Sequence, residues 1–220
     1  MRSPLHWPNG WKPMPFIKRG ASTPATKDKN ADVVASHTAA LNSPNAEVRW
    51  TAARALGGVA VAVPVLAAAL GGEQNPRVRE AIMTALMRIG DEASVRALLP
   101  YLRSQDAGQR SAAIETLQAL PEAVEPFVAA LLGDTDTDVR LLATELARNM
   151  PPKDATLVLC DLLRKEGHPN VCAAAIEVLA EVGTRDAVPA LQACAERFAN
   201  VPFLPFAIAT TIARISSTES

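Results

Sequence analysis

The stretch Asn75-Pro76-Arg77-Val78-Arg79-Glu80-Ala81-Ile82-Met83-Thr84-Ala85-Leu86-Met87-Arg88-Ile89-Gly90 reads as one helix with its own start and stop. An Asn side chain accepts hydrogen bonds from the free amides of a first helical turn, and a Pro in the next position costs nothing because its missing N–H has no intrahelical partner there. Val78, Ile82, Leu86 and Ile89 then recur at steps of four, four and three, which places them on one helix face. Gly90 closes the segment, because a helix ends readily on a residue that accepts left-handed backbone.

The same opening phrase recurs on both sides. It appears as Asn45-Ala46-Glu47-Val48-Arg49, Asp106-Ala107-Gly108-Gln109-Arg110, Asp136-Thr137-Asp138-Val139-Arg140 and His168-Pro169-Asn170-Val171-Cys172, and the fourth positions (48, 78, 109, 139 and 171) lie 30, 31, 30 and 32 residues apart. A period of that length marks a stack of supersecondary units, each burying its apolar face against its neighbours. Four residues after each fourth position come Ala52, Ile82, Ala113, Ala143 and Ala175, and eight after it come Leu56, Leu86, Leu117, Ala147 and Leu179. These two columns are expected to be the buried stripe, with the small first member letting a neighbouring helix approach closely.

A first helix precedes each of these second helices. The spacing predicts first helices near residues 63–70, 95–102, 124–132, 155–163 and 187–195, with Pro64, Pro126 and Pro189 in their first turns. An opening helix is expected over 32–41 and a closing one over 203–215. The fold class is therefore all-α, a right-handed α-solenoid of about six helical hairpins occupying residues 31–220. Residues 1–30 form a separate basic arm: Arg2, Lys12, Lys18, Arg19, Lys27 and Lys29 face only Asp28, and Trp7, Trp11 and Phe16 sit among five prolines. That composition cannot build its own core, yet it is more aromatic than an ordinary polar tail.

The unit V-P-x-L…L…D-x-x-V-R-x-x-A…L resembles the short bacterial HEAT repeats often called PBS-lyase HEAT-like repeats, over roughly residues 32–215. The resemblance implies that Asn45, Asn75, Asp106 and Asp136 pair with Arg49, Arg79, Arg110 and Arg140 by bridging neighbouring units. It also implies that the second helices line the concave side. Phycobilin lyases, which attach or detach linear tetrapyrroles on phycobiliproteins, are among the proteins with such repeats.

Composition narrows the function. With 22 basic and 23 acidic residues the chain has a formal charge of −1, and because the arm is basic the remainder is acidic, which disfavours a nucleic-acid face. Cys160, Cys172 and Cys194 show no metal-ligand spacing and read as small core residues, so neither a metal nor a cofactor is expected. No apolar run is long enough to cross a membrane and no signal sequence is visible, so cytoplasmic residence is the expectation. There is also no nucleophile elbow, phosphate loop or HExxH motif.

These absences point to a non-catalytic protein–protein interaction scaffold, adaptor or assembly factor. The alternative, from the resemblance, is a phycobilin lyase-like protein or lyase subunit acting on a bilin or chromoprotein. Positions expected to face outward from the second helices include Trp50, Arg54, Glu80, Thr84, Glu115, Leu141, Glu145 and Glu177. Trp50 and Leu141 are large apolar residues on that face, and the three later Glu residues form a like-charged column. A protein or peptide partner of basic and aromatic character fits this groove, and Trp7 and Trp11 of the arm add a second contact surface with scope for self-association.

Overall fold

A computed structural model describes residues 24–217. It contains twelve α-helices and three short 3-10 segments, and no strand among the described residues. The helices pair as hairpins in chain order: α1 (Pro24–Leu41) with α2 (Ala46–Ala55), α3 (Val63–Gly72) with α4 (Pro76–Ile89), and α5 (Glu92–Leu98) with α6 (Ala107–Gln118). They continue as α7 (Pro121–Leu132) with α8 (Thr137–Ala147), α9 (Pro152–Lys165) with α10 (Pro169–Val182), and α11 (Val188–Arg197) with α12 (Phe203–Ser217). Second helices pack on second helices from α2 to α12, and first helices on first helices from α3 to α11, which makes a two-layered α-solenoid of six hairpins.

The core lies between the layers where the period placed it. Ala52, Ile82, Ala113, Ala143 and Ala175 are all buried, as are Leu56, Leu86, Leu117, Ala147 and Leu179. Val78, Val139 and Val171 are at most 1% exposed, whereas the equivalent Val48 is 41% exposed. In later units the preceding hairpin covers this position, and α2 has no earlier hairpin among the described residues. Cys160, Cys172 and Cys194 are buried free thiols, as expected of core residues.

Several boundaries differ from the sequence reading, mainly because of proline. The opening helix begins at Pro24, inside the segment read as arm. Pro121 stands at the first position of α7 instead of ending the previous helix, which leaves Pro126 inside α7 and not in its first turn. Pro126 is exposed, so the carbonyl it leaves without an amide donor can be solvated. The third hairpin's first helix changes from α to 3-10 over Leu99–Arg103, where Pro100 cannot supply the next amide of the α ladder.

The polar ladder stacks the hairpins, though with different pairs from those expected. Asn45, Asn75, Asp106 and Asp136 each cap their own helix by accepting from its first amides. Only Arg79 pairs with the cap of the next unit, Asp106, at 3.4 Å. Arg49 donates to the Ser43 and Pro44 carbonyls at 2.8 and 3.1 Å and grips both carboxylate oxygens of Glu73 in the next hairpin at 2.7 and 2.9 Å. Arg140 repeats this pattern with the Asp134 and Thr135 carbonyls and with Glu166 at 2.6 and 3.1 Å.

Glu73 and Glu166 belong to a column the sequence reading missed. Ser43, Glu73, Ser104, Asp134 and Glu166 stand two residues before the caps, and each accepts the cap residue's amide at 2.8–3.2 Å. The hydrogen bond from Arg49 holds the Glu73 carboxyl below its usual range despite burial. Burial pushes the Glu166 carboxyl up, but Arg140 and the His168 and Gly167 amides outweigh it, so it too lies below the usual range.

The ladder changes at the fifth unit. His168 occupies the cap position but makes no side-chain cap bond, and Cys172 replaces the arginine with its Sγ 3.7 Å from the Glu166 carbonyl. Arg197, entering from α11, donates to the Leu163, Arg164 and Glu166 carbonyls instead.

Candidate functional site

The outward face of the second helices carries two chemically different ends. Trp50 on α2 is half-buried, with the Arg54 guanidinium 4.5 Å and the Arg77 guanidinium 4.3 Å from its ring centroid. Trp50 and Arg54 are four residues apart and so share a helix face. Arg77 reaches across from α4 and is held by Glu47 of α2 at 2.7 Å. The indole is thus clasped by two cations rather than standing free, which the spacing could not show because Arg77 comes from the next unit.

Along α4, the exposed residues Arg77, Glu80, Thr84 and Arg88 recur at steps of three and four, forming a polar stripe beside Trp50 and Arg54. Arg88 lies across the end of α2, where a Cβ added to Gly57 would sit 3.3 Å from Arg88 Cδ and Nη1. The sequence reading gave Arg77 no place in the site.

The other end is acidic. Glu115 on α6 and Glu177 on α10 are exposed, and Leu141 between them is 38% exposed. Glu145 is half-buried and meets Arg148 at 3.3 Å, while Arg148 also pairs with Glu181. Glu181 draws the Arg148 guanidinium upward and is itself held below the usual carboxylate range by it. The like-charged column is therefore neutralised at its middle member. Trp7 and Trp11 lie outside the described residues.

A cleft of about 510 Å³ between α7, α8 and α9 has the Arg140–Glu166 pair in its lining, and an equivalent one of about 300 Å³ contains Arg49 and Glu73. Both ion pairs are already satisfied. Cys172 is fully buried, with its thiol pushed well up by its hydrogen bond with Cys194 and by burial, and that thiol meets the Glu166 carbonyl and not the exposed His168 ring. No group of three or more His, Cys, Asp or Glu among the described residues could hold a metal ion, and no helix there is long and apolar enough to cross a membrane.

Six stacked hairpins with buried periodic columns and an arginine ladder define a helical-repeat protein. The family profile of HEAT repeats matches residues 34–118 and 124–200, and the chain belongs to that family. It is 34% identical over 151 residues to the bilin biosynthesis protein PecE of Mastigocladus laminosus, covering 66% of this chain and 55% of that protein. It is 42% identical over 89 residues to PecE of Nostoc sp. (strain PCC 7120), covering 37% of this chain and 35% of that protein. The chain thus spans about half the length of the first relative and about a third of the second. Among solved structures, the complex of CpcE and CpcF of phycocyanin lyase from Nostoc sp. PCC7120 aligns over 94% of this chain and 100% of the matched chain, at 17% identity and a TM-score of 0.35.

The two PecE relatives overturn two expectations. The non-catalytic scaffold, adaptor or assembly factor gives way to the phycobilin lyase-like alternative, and with it falls the expectation that the chain is not an enzyme. The missing motifs misled because function on a repeat fold can rest on surface complementarity, which leaves no contiguous signature.

Proposed function

We propose that the chain is a phycobilin lyase-like protein or lyase subunit that acts on a bilin and its chromoprotein in the bacterial cytoplasm. The observation that carries this reading is the 34% identity to PecE over 151 residues, which extends across most of the repeat stack. The surface suits such work. A linear tetrapyrrole is a flat conjugated molecule with two carboxylates, and the cationic, aromatic end of the second-helix face complements it. The acidic end, with Glu115, Leu141, Glu145 and Glu177, then faces the protein that carries the chromophore, a surface with exposed cations and aromatic residues.

The test is spectroscopic. The purified protein is mixed with a phycobilin and an apo-phycobiliprotein, and the visible spectrum is followed together with the acceptor's mass after denaturation. A shifted bilin spectrum or an acceptor heavier by one bilin, above the level reached without the protein, is the expected result. Spectra and masses identical with and without the protein would refute the reading.

A further inference from the structure

Among the described residues, the arginines are, with two exceptions, engaged with carboxylates or backbone carbonyls. Arg49, Arg79, Arg140 and Arg148 face carboxylates, and Arg110 and Arg197 face backbone carbonyls. Arg54 and Arg88 have neither kind of partner among the described residues.

These two cations are neighbours. Arg88 lies over Gly57 while the Arg54 guanidinium stacks on Trp50, so the two charged groups reach the surface about two helical turns apart, roughly 10 Å along α2. A dianion whose two carboxylates span that distance pairs with both cations at once. Gly57 leaves room for the Arg88 stem, since a Cβ there would sit 3.3 Å from it and push it aside by a few tenths of an ångström.

The surroundings specify more than charge. The surface between α2 and α4 is shallow, with Ala53 and Ala81 buried beneath it and the edge of Trp50 beside it. Such a surface accepts a planar molecule laid across it. Thr84 and Glu80 stand on the same α4 stripe, and Glu80 is exposed without a cation partner, which makes it an acceptor for N–H groups on a ligand.

We propose that Trp50, Arg54, Glu80, Thr84 and Arg88 form a binding site for a linear tetrapyrrole dicarboxylate. One propionate carboxylate engages Arg54 and the other Arg88, the conjugated plane lies along the small residues between the helices with its rim toward the Trp50 edge, and the pyrrole N–H groups face Glu80. Arg77, neutralised by Glu47, holds the indole in place. This assignment rests on the bilin reading above.

The experiment titrates the full-length protein with biliverdin and follows visible absorbance and induced circular dichroism. The doubly substituted Arg54→Gln/Arg88→Gln protein is compared with Arg96→Gln, whose arginine is exposed on a first helix and paired with Glu92. Losing two charge-assisted contacts is expected to weaken biliverdin binding by about 100-fold, roughly tenfold for each contact. Arg96→Gln should bind as the wild type does, and biliverdin dimethyl ester, which lacks both negative charges, should bind the wild type about as weakly as biliverdin binds the double variant. Equal affinity of wild type and double variant would overturn this site while leaving the bilin reading intact. No biliverdin binding by the wild type would overturn both.

Discussion

Replacing Arg140 with alanine is expected to lower the free energy of unfolding at neutral pH by about 3 kcal/mol, because it leaves an ionised carboxylate inside the stack. The Glu166 side chain is 4% exposed and accepts from both Nε and Nη2 of Arg140, so water entering from the neighbouring cleft replaces only part of what the substitution removes. The doubly substituted Arg140→Ala/Glu166→Gln protein should recover part of the loss, since the uncompensated charge is gone. The effect has a defined pH dependence. The Glu166 carboxyl is depressed in the folded state, so its stabilisation is present above the unfolded carboxylate value of about 4.3 and disappears as pH falls through the folded value. Urea midpoints of wild type and Arg140→Ala should therefore differ at pH 7 and converge below about pH 4. Coincident midpoints at pH 7 would remove Arg140–Glu166 from the forces that hold the fourth and fifth hairpins together.

The second large effect concerns the apolar core. Leu117 on α6 is fully buried in the middle of the stack, and Leu117→Ala should cost about 3 kcal/mol through lost burial and the cavity left behind. Leu157 on α9 is 61% exposed, and the same truncation there should change stability by less than about 0.5 kcal/mol. Chemical denaturation of the two variants under one condition makes the comparison, and similar losses would contradict the assignment of buried and exposed columns.

The stack was legible in the sequence because helix caps and apolar columns are local signals repeated in register. Ala52 to Ala175 and Leu56 to Leu179 are buried at every copy. What escaped was non-local or variable in residue type. The column through Ser43, Glu73 and Glu166 mixes hydroxyls with carboxylates, so it shows no repeated letter although its amide contact is the same throughout. Pro121 read as a helix stop and Pro126 as a helix start, whereas Pro121 itself opens α7.

The outward residues Arg54, Glu80, Thr84, Glu115, Leu141 and Glu177 lie at the surface as the period predicts, but position alone could not say what they meet. Trp50 looked free because the arginine that covers it is Arg77, 27 residues away in sequence. The bilin connection was carried by likeness spread along 151 residues and not by any short motif.

The uneven ladder has a mechanical consequence. A guanidinium gripping both oxygens of a carboxylate resists rotation about the contact, whereas a single-point contact acts as a pivot. Arg49–Glu73 and Arg140–Glu166 are two-point clamps at the first and fourth junctions, while the ion pairs of the second and third, Arg79–Asp106 and Arg103–Asp134, are single-point contacts, the third joined by Asn149 Nδ2 donating to the Gln118 carbonyl at 3.1 Å. The solenoid should therefore behave as two torsionally stiff blocks joined by a compliant centre around α5 and α6. Hydrogen exchange faster at the turn before α6 than at the turns before α4 and α10 is the expected signature, and uniform protection across the three would refute it. Twist at that centre would alter the angle between the Arg54–Arg88 surface and the acidic end, so that the two halves could close on a bound object without either half changing its own shape.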